Sequence, residues 1–389
     1  MFFERHATTQ LHYYLQHFPA TVLLGARQVG KTTLAKSLDG KIGRPFIYLD
    51  LERPSDWEKL RDPESFLSPF REYCVVIDEV QIKPELFSVL RPLIDEHRVS
   101  GRFVLLGSAA PSVIRGASET LAGRVAYLEL SPLSLPEVFP QVPQLEHWFR
   151  GGYPEVLLSS DTVLAQERLQ QFIRTFAERE LSGLGQDVMA PLLLRLWQML
   201  AHLHGQTTNV QALGNSLGIA TKTVNRYLDL LEGGFMIHRL QPWFVNIGKR
   251  LTKTPKTYLR DSGMLHTLLR IPTAEALIGH PVCGASWEGY VVEQIMRTVG
   301  SRWEFYFYRT QQGAEIDLLL ISPSGKKVAV EVKFSSAPQV SKGFYLSIED
   351  VKCDHAYVVV PETNTYQKPN NVTVCSLHSF LMEEIPKIG

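Results

Sequence analysis

Short runs of consecutive apolar residues recur through the first third of the chain. Five runs have the length of a strand and lack polar alternation, which is typical of strands buried on both faces. They lie at residues 21–24, 46–49, 74–77, 103–106 and 125–130. The stretches between them, such as 32–38 and 84–95, have helical periodicity. Strands that alternate with helices predict a parallel sheet covered by helices, and therefore an α/β fold.

The pattern changes after about residue 135, in a connector that contains Pro132, Pro136, Pro140 and Pro143. Helical periodicity then dominates to about residue 235, and a second linker-like stretch covers residues 271–284. Beyond it the pattern predicts a helix and then strands, at residues 304–308, 316–321, 328–334 and 355–360. We therefore expect three domains, at residues 1–150, 151–274 and 275–389.

A glycine-rich loop follows the first predicted strand. Residues 25–32 read GARQVGKT and match GxxxxGK[ST] in full, between a buried strand and a helix. Such a loop turns its backbone N–H groups around phosphates, and the positive end of the following helix points to the same place. We expect Lys31 to reach the β- and γ-phosphates of ATP and the Thr32 hydroxyl to bind Mg²⁺. The predicted nucleotide-binding residues are Gly25, Ala26, Arg27, Gln28, Val29, Gly30, Lys31, Thr32 and Thr33.

Polar side chains also end two later strands of the predicted sheet. Asp78 and Glu79 follow the apolar run 74–77, and ligands bind at the carboxyl ends of parallel strands. Asp78 is predicted to hold Mg²⁺, directly or through water, and Glu79 to polarise the attacking water. Ser108 follows the run 103–106 and is a candidate for contact with the γ-phosphate or that water. A hydroxyl at a strand end is also common without any such role.

Two arginines are candidates for an arginine finger, a residue that stabilises the charge of the transferred phosphoryl group and can act from a neighbouring subunit. They are Arg115 and Arg124. The alternative for both is a surface ion pair or a strand cap. A finger supplied in trans would imply a homo-oligomer.

The middle of the chain predicts a helix-turn-helix over residues 209–231, with Gly218 at the break and Thr221 as the N-cap of the second helix. Residues 235–240 are expected to form a wing strand. Residues 186–260 hold nine Lys/Arg against three Asp/Glu, and 249–260 form a basic run without an acid. A winged helix with a basic wing predicts contact with a DNA backbone through residues 209–260. The alternative is a winged helix used for protein contact.

Acidic and basic side chains share a predicted hairpin near the C-terminus. Asp317 lies in its first strand, and Glu331 and Lys333 lie two residues apart on one face of its second strand. Two carboxylates and a lysine at a strand edge can hold a hard divalent cation and steady a hydroxide. Glu288, on the preceding predicted helix, is a further candidate ligand. The alternative is a set of exposed salt bridges.

The amino-acid composition argues against several classes of protein. The chain has 389 residues, of which 44% are apolar and 21% charged, as in soluble globular proteins. The 40 basic and 40 acidic residues balance, so overall charge favours neither a nucleic acid nor a membrane. No apolar run is long enough to span a bilayer, and the four cysteines are far apart, which argues against zinc and disulfides. We expect a cytoplasmic protein without a membrane partner.

Several of these motifs together resemble a known family. The segments GARQVGKTTLA, VVIDEVQ, GSAAPSVIRGASETLAGR, GGYPE and GAEIDLLL…VAVEVKF are similar to bacterial and archaeal ATP-binding proteins that join an AAA+-type ATPase to a domain of unknown function, DUF4143. The resemblance implies ATP as ligand and Ser108 at the sensor position. This chain has Ala109 and Ala110 where the family often has serines.

The C-terminal set also resembles the PD-(D/E)XK nuclease core, with Ile316 in place of the usual proline. That resemblance implies a restriction-endonuclease-like α/β domain. In it Asp317 and Glu331 would be metal ligands, Lys333 would position the nucleophile and Glu288 would assist.

The combined expectation is a Mg²⁺-dependent ATPase of AAA+ type that acts on or with DNA, with ATP and ADP as its ligands. The alternative is a nucleotide-controlled switch or scaffold whose nuclease-like domain is catalytically silent.

Overall fold

A parallel sheet of five strands forms the first part of the molecule. The computed structural model describes residues 3–109, 121–180, 189–244 and 252–388. The strand order is β2-β3-β4-β1-β5, and every neighbouring pair is parallel. The strands are β1 Ala20–Leu24, β2 Phe46–Asp50, β3 Cys74–Asp78, β4 Phe103–Gly107 and β5 Val125–Glu129. The sheet confirms the predicted α/β fold.

The burial of each strand matches its central or edge position in the sheet. All five residues of β1, β3 and β4 are buried, as their unbroken apolar runs predict, whereas β2 and β5 lie at the two edges and are partly exposed. Since β4 lies between β1 and β3, the ends of these three strands meet at one edge of the sheet. Helices cover the faces. They are Ala7–His17, Lys31–Lys36, Pro54–Lys59, Pro63–Leu67 and Leu86–Glu96, with a 3₁₀ turn at Val80–Ile82.

Helices dominate the middle of the chain, as predicted. They are Leu135–Val138, Gln144–Arg150, Pro154–Leu157, Thr162–Thr175, Ala190–His202, Val210–Leu217, Thr221–Gly233, Ser262–Leu268 and Ala274–Ile278, with a π-helical turn at Phe176–Glu180. The last of these helices lies within the stretch 271–284 that the sequence suggests is a linker. Leu277 is fully buried there, so apolar packing holds this stretch against the rest of the molecule.

A mixed sheet of nine strands forms the rest of the molecule, in the order β13-β14-β12-β11-β10-β9-β7-β8-β6. Its strands are β6 Gln206–Thr207, β7 Ile237–Pro242, β8 Lys256–Leu259, β9 Glu304–Arg309, β10 Glu315–Ile321, β11 Lys327–Val332, β12 His355–Val360, β13 Tyr366–Lys368 and β14 Val372–Ser376. The helices beside it are Cys283–Val299, Lys342–Val351 and Leu377–Ser379, with short turns at Pro369–Asn371, Phe380–Glu384 and Ile385–Lys387.

This second sheet crosses the domain boundary expected near residue 275. Strand β7 pairs in parallel with β9, through Gln241 with Tyr306 and Pro242 with Phe307. The hairpin β7–β8 therefore belongs to the same sheet as the C-terminal strands. The expected wing strand exists as β7, but it lies inside a sheet and is not a free wing.

Candidate functional site

The glycine-rich loop connects β1 to helix Lys31–Lys36 at the carboxyl edge of the first sheet. Gly25 has a φ of +151°, and a Cβ there would lie 2.1 Å from the carbonyl oxygen of Leu130. Gly30 is the left-handed N-cap of the helix, with a φ of +99°. Both positions therefore require glycine, one for space and one for backbone conformation.

Side chains around the loop hold it in place. Arg27 pairs with Glu52 at 3.2 Å, and Gln28 has a positive φ of 63°. The carbonyl of Val29 accepts a hydrogen bond of 2.8 Å from the buried Arg5. Ala26 and Val29 are buried, whereas Thr33 is exposed on the first turn of the helix. The predicted nucleotide-binding residues thus form one continuous loop.

The Lys31 ammonium lies inside the loop. Its Nζ donates to the carbonyl oxygens of Gly25 and Ala26, at 2.8 Å each, and the residue is buried. A cation held by two carbonyls of the loop is well placed to meet phosphate oxygens that the same loop surrounds.

Thr32 and Asp78 lie side by side, as a magnesium site at this edge requires. The Thr32 hydroxyl donates to Asp78 Oδ2 at 2.7 Å, and the Tyr48 hydroxyl donates to the same oxygen at 2.5 Å. Burial and the hydrogen bond to Asp78 raise the pKa of Tyr48. Mg²⁺ is usually bound by one or two carboxylates together with substrate phosphates, so these oxygens fit it without a larger cluster.

Glu79 and Ser108 also lie together, through Gln81, which is not among the predicted site residues. Ser108 Oγ donates to Glu79 Oε2 at 3.2 Å, and Gln81 Nε2 donates both to that carboxylate oxygen and to Ser108 Oγ, the latter at 2.9 Å. Gln81 Oε1 accepts from the Ser108 amide at 3.3 Å. The backbone of Glu79 is left-handed, with a φ of 56°, which turns the chain back toward β4. The segment VVIDEVQ contains Gln81, but nothing in its pattern indicates this contact.

A cavity of about 430 Å³ opens beside the phosphate loop. Its walls come from the N-terminal segment, the loop with its helix, and helix Pro154–Leu157 of the GGYPE segment. The residues that define it include Phe3, Thr8, Gly30, Thr33, Leu34 and Pro154. Its walls are both apolar and polar, as in small-molecule sites.

Arg124 does not join this group. It precedes β5, whose first residue pairs with Ala20 at the start of β1, so it lies at the sheet edge opposite the phosphate loop. Its guanidinium contacts Asp95 twice, at 2.6 and 2.8 Å. The structure therefore shows the surface ion pair that was the alternative. Arg115 lies outside the described residues.

The four C-terminal candidates come together as the hairpin predicts. Strands β10 and β11 are antiparallel neighbours, and Asp317 Oδ2 accepts from the Val332 amide at 2.9 Å. Lys333 Nζ lies 2.6 Å from Glu331 Oε1. Glu288, on helix Cys283–Val299, adds its negative charge to the same group. Asp317 and Glu331 are buried, which contradicts the alternative of an exposed salt-bridge set.

Lys256 of β8 and Glu315 of β10 complete the group, although the basic run that contains Lys256 is predicted to contact DNA. Lys256 Nζ lies 3.0 Å from Glu288 Oε1, 2.8 Å from Glu315 Oε1 and 3.8 Å from Asp317 Oδ1. The strand pairing that brings Lys256 here is long-range, so no local pattern could reveal it.

Burial governs the protonation of this group. Burial and then the Glu288 charge raise the pKa of Asp317 well above its usual value, and burial also raises the pKa of Glu331. Burial would lower the pKa of Lys256, but the oxygen groups around it hold that pKa well above its usual value. A buried ammonium, and not an open set of carboxylates, is thus the central charge.

The predicted helix-turn-helix is present as helices Val210–Leu217 and Thr221–Gly233, with Gly218 in the left-handed conformation between them. The N-cap is Ala220 and not Thr221. Exposed polar side chains of the second helix include Lys222, Asn225, Arg226 and Asp229.

The basic run 249–260 does not expose all of its cations to solvent. Lys256 and Arg260 are directed inward, since Arg260 pairs with Glu129 of β5 and lies 3.5 Å from the buried Glu293. Lys253 is exposed, and Lys249 and Arg250 lie outside the described residues. The prediction that Lys256 and Arg260 contact DNA is therefore wrong, because both side chains form ion pairs with acidic residues far away in the sequence.

Three family models match the chain. One described as an AAA domain matches residues 17–139, a domain of unknown function (DUF8612) matches 144–275, and a domain of unknown function (DUF4143) matches 283–380. In the described parts of the chain, no helix is both long and apolar enough to cross a membrane.

Similar proteins occur in Mycobacterium and in Haemophilus influenzae. Uncharacterized protein Rv2008c of Mycobacterium tuberculosis and Uncharacterized protein Mb2031c of Mycobacterium bovis are each 39% identical over 378 residues, which is 97% of this chain and 84% of theirs. An uncharacterized protein of Haemophilus influenzae is 23% identical over 277 residues, 62% of this chain and 67% of its own.

Solved structures are more distant. The Walker-type ATPase PABY2304 of Pyrococcus abyssi is 17% identical, with a TM-score of 0.48 over 69% of this chain and 96% of its own. The RuvB Holliday junction branch migration motor of Thermotoga maritima is 16% identical, with a TM-score of 0.31 over 61% of this chain and 90% of its own.

Proposed function

Since the chain belongs to the family of AAA-domain proteins that carry DUF4143, we propose that it is a Mg²⁺-dependent ATP hydrolase that acts with DNA. The proposed ATP hydrolysis is supported by one observation: two pairs of hydrogen-bonded polar side chains lie at the same edge of the first sheet. Thr32 contacts Asp78 at 2.7 Å, and Ser108 contacts Glu79 at 3.2 Å. Both pairs lie beside the loop that holds Lys31.

Each residue takes a distinct part in hydrolysis. Lys31 neutralises oxygens of the β- and γ-phosphates, and the N–H groups of the loop bind the rest. Thr32 and Asp78 would hold Mg²⁺, and the bound ion would offset charge on the phosphates. Glu79 accepts the proton of the attacking water, and Ser108 orients that carboxylate. The cavity beside Thr33 and Leu34 takes the nucleoside.

The proposed ATP hydrolysis is tested by measuring ATP turnover. The proteins compared are wild type, Lys31→Ala and Glu79→Gln. We expect Lys31→Ala to lose nucleotide binding or turnover, because the cation opposite the phosphates is gone. Glu79→Gln should bind ATP normally and hydrolyse it at least about 100-fold more slowly, the typical contribution of a general base. Turnover by Glu79→Gln at the wild-type rate would show that Glu79 does not activate water.

The DNA part rests on the exposed polar face of helix Thr221–Gly233 and on Lys253. The same ATPase assay with and without single- and double-stranded DNA tests it. Stimulation by DNA supports action on DNA, and turnover that ignores DNA supports the second candidate, a nucleotide-controlled switch. The second candidate is favoured by the buried Lys256 ammonium among the C-terminal carboxylates.

If Arg124 acts as an arginine finger on the nucleotide of a neighbouring subunit, the protein must be an oligomer. The ion pair between Arg124 and Asp95 would have to break first. Each of the variants Lys31→Ala and Arg124→Ala should then be inactive alone. A mixture of the two variants should recover part of the ATP turnover, because a mixed oligomer contains some intact sites. First-order turnover at high dilution by a protein that sediments as a monomer would remove this part of the proposal.

A further inference from the structure

The Lys256 side chain joins three elements that are far apart in the sequence. Its backbone belongs to β8, and its ammonium lies between Glu288 of helix Cys283–Val299 and Glu315 of β10. The side chain is only 3% exposed. Burying an unpaired ammonium is strongly unfavourable, so these carboxylates are what permit Lys256 to be buried.

The oxygens around Lys256 are those that a hard divalent cation would use. Glu315 and Asp317 are two residues apart on β10 and so share a face, and Glu288 approaches from the helix. All three direct a carboxylate oxygen at Lys256 Nζ, within 4.0 Å. Divalent cations bind carboxylate oxygens in this way.

Several carboxylate oxygens of the group have partners besides Lys256. Tyr258 OH donates to Glu288 Oε1 at 2.6 Å, and the Val332 amide donates to Asp317 Oδ2. Lys333 pairs with Glu331 Oε1. Across the described residues, no group of three or more acidic, histidine or cysteine side chains is arranged to hold a metal ion. With the Lys256 ammonium between them, these carboxylates therefore do not fit the metal that a nuclease-like centre requires.

We propose that the Lys256 ammonium takes the position of the divalent cation in this centre, so that the C-terminal domain binds no metal there and cleaves no DNA. The centre instead fastens the hairpin β7–β8 to helix Cys283–Val299 and strand β10. A divalent cation brought close to the ammonium would be repelled, and more strongly in a buried site than in water.

Calorimetric titration of nucleotide-free protein with Mn²⁺ tests this proposal independently of ATP hydrolysis. Wild type and Asp317→Asn should take up the same amount of Mn²⁺, because Asp317 holds none. Lys256→Ala should gain one Mn²⁺ per chain, and this gain should vanish in Lys256→Ala/Asp317→Asn. Lys326→Ala, the matched change at an exposed lysine just before β11, should resemble wild type.

Two results overturn the proposal. One is Mn²⁺ binding, or Mn²⁺-dependent plasmid nicking, by wild type that Asp317→Asn removes. The other is a folded Lys256→Ala protein, by circular dichroism, that gains no Mn²⁺. Lys256→Met keeps the length of the side chain and serves if Lys256→Ala fails to fold. If neither Lys256 variant folds, the Mn²⁺ uptake of wild type and of Asp317→Asn still tests the proposal, because a lower uptake by Asp317→Asn would contradict it.

Discussion

The Gln81 amide links the two residues that would handle the attacking water. Its NH₂ group donates to Glu79 and to the Ser108 hydroxyl, its carbonyl oxygen accepts from the Ser108 amide, and the side-chain contacts on Glu79 involve Oε2. In the proposed mechanism the other carboxylate oxygen would take the proton of the water, and Gln81 would be a positioning residue for Glu79.

Replacing Gln81 by leucine should therefore slow hydrolysis without weakening nucleotide binding. A hydrogen bond to a charged group contributes about 1.5–3 kcal/mol, which corresponds to a fall of about tenfold or more in kcat. Single-turnover kinetics and equilibrium nucleotide binding separate the two effects. Gln170→Leu, a change at an exposed glutamine, should alter neither. Equal losses of affinity and rate in Gln81→Leu would mean that Gln81 shapes the whole site.

His266 is buried in its neutral form. Ser286 Oγ accepts from Trp148 Nε1 at 3.0 Å, so its own hydrogen is directed to His266 Nε2 at 2.7 Å. His266 Nδ1 then carries the proton and donates to the Phe149 carbonyl at 2.8 Å. Burial lowers the pKa of His266 to about 4.

This pKa predicts a loss of stability in acid. Between pH 6.5 and about 4 the unfolded chain binds a proton on this histidine and the folded chain does not, so stability falls as the pH falls. The difference in unfolding free energy between wild type and His266→Gln should shrink by about 1.4 kcal/mol per pH unit in that window. Urea unfolding at several pH values measures it, with His202→Gln, at an exposed histidine, as control. A constant difference would mean that His266 does not supply the proton uptake.

At the scale of elements, sequence patterns locate the strands better than their partners. The runs 74–77 and 103–106 correspond to Cys74–Asp78 and Phe103–Gly107, because burial on both faces requires unbroken apolar residues. The short motif around Lys31 is equally visible, since its residues are consecutive. The contacts of Lys256 and Gln81 cannot be assigned from the sequence, because only the assembled sheets create them.

The second helix of the helix-turn-helix is the element that we expect to contact DNA. Lys222 and Arg226 are exposed on it, and Lys253 is exposed before β8. Changing all three to alanine should lower the log–log salt slope of DNA binding by about 0.9 for each phosphate that the variant no longer neutralises. Binding measured from low to moderate salt gives the slope. Arg195→Ala, at an exposed arginine of helix Ala190–His202, is the control. An unchanged slope in the triple variant would locate the DNA surface elsewhere.

At the scale of the whole molecule, one buried ion pair connects the phosphate loop to the C-terminal region. Arg5 donates to the Val29 carbonyl and lies 3.1 Å from Glu137. Glu137 caps helix Leu135–Val138, and the Leu135 amide donates to Gln294 at 2.7 Å. A short series of hydrogen bonds thus connects the loop to helix Cys283–Val299.

Arg5→Met should destabilise the protein by about 3–5 kcal/mol, because it leaves the Glu137 carboxylate buried without its partner. Arg5→Met/Glu137→Gln should cost less than the sum of the single changes, since the stranded charge is removed. Urea unfolding measures both. The exposed pair Arg61–Glu58 is a matched control, and Arg61→Met should cost less than about 1 kcal/mol. Additive losses in the buried pair would mean that the two residues act separately.

The pairing of β7 with β9 limits how this protein can be divided. A polypeptide that ends near residue 275 keeps Ile237–Pro242 but lacks the neighbour of that strand, and one that starts there exposes Glu304–Arg309. Each fragment then carries an open row of N–H and C=O groups, which invites pairing with another copy. Two of the family models meet near this residue, yet the segments on its two sides complete each other's sheet, so we expect each segment to need the other to fold.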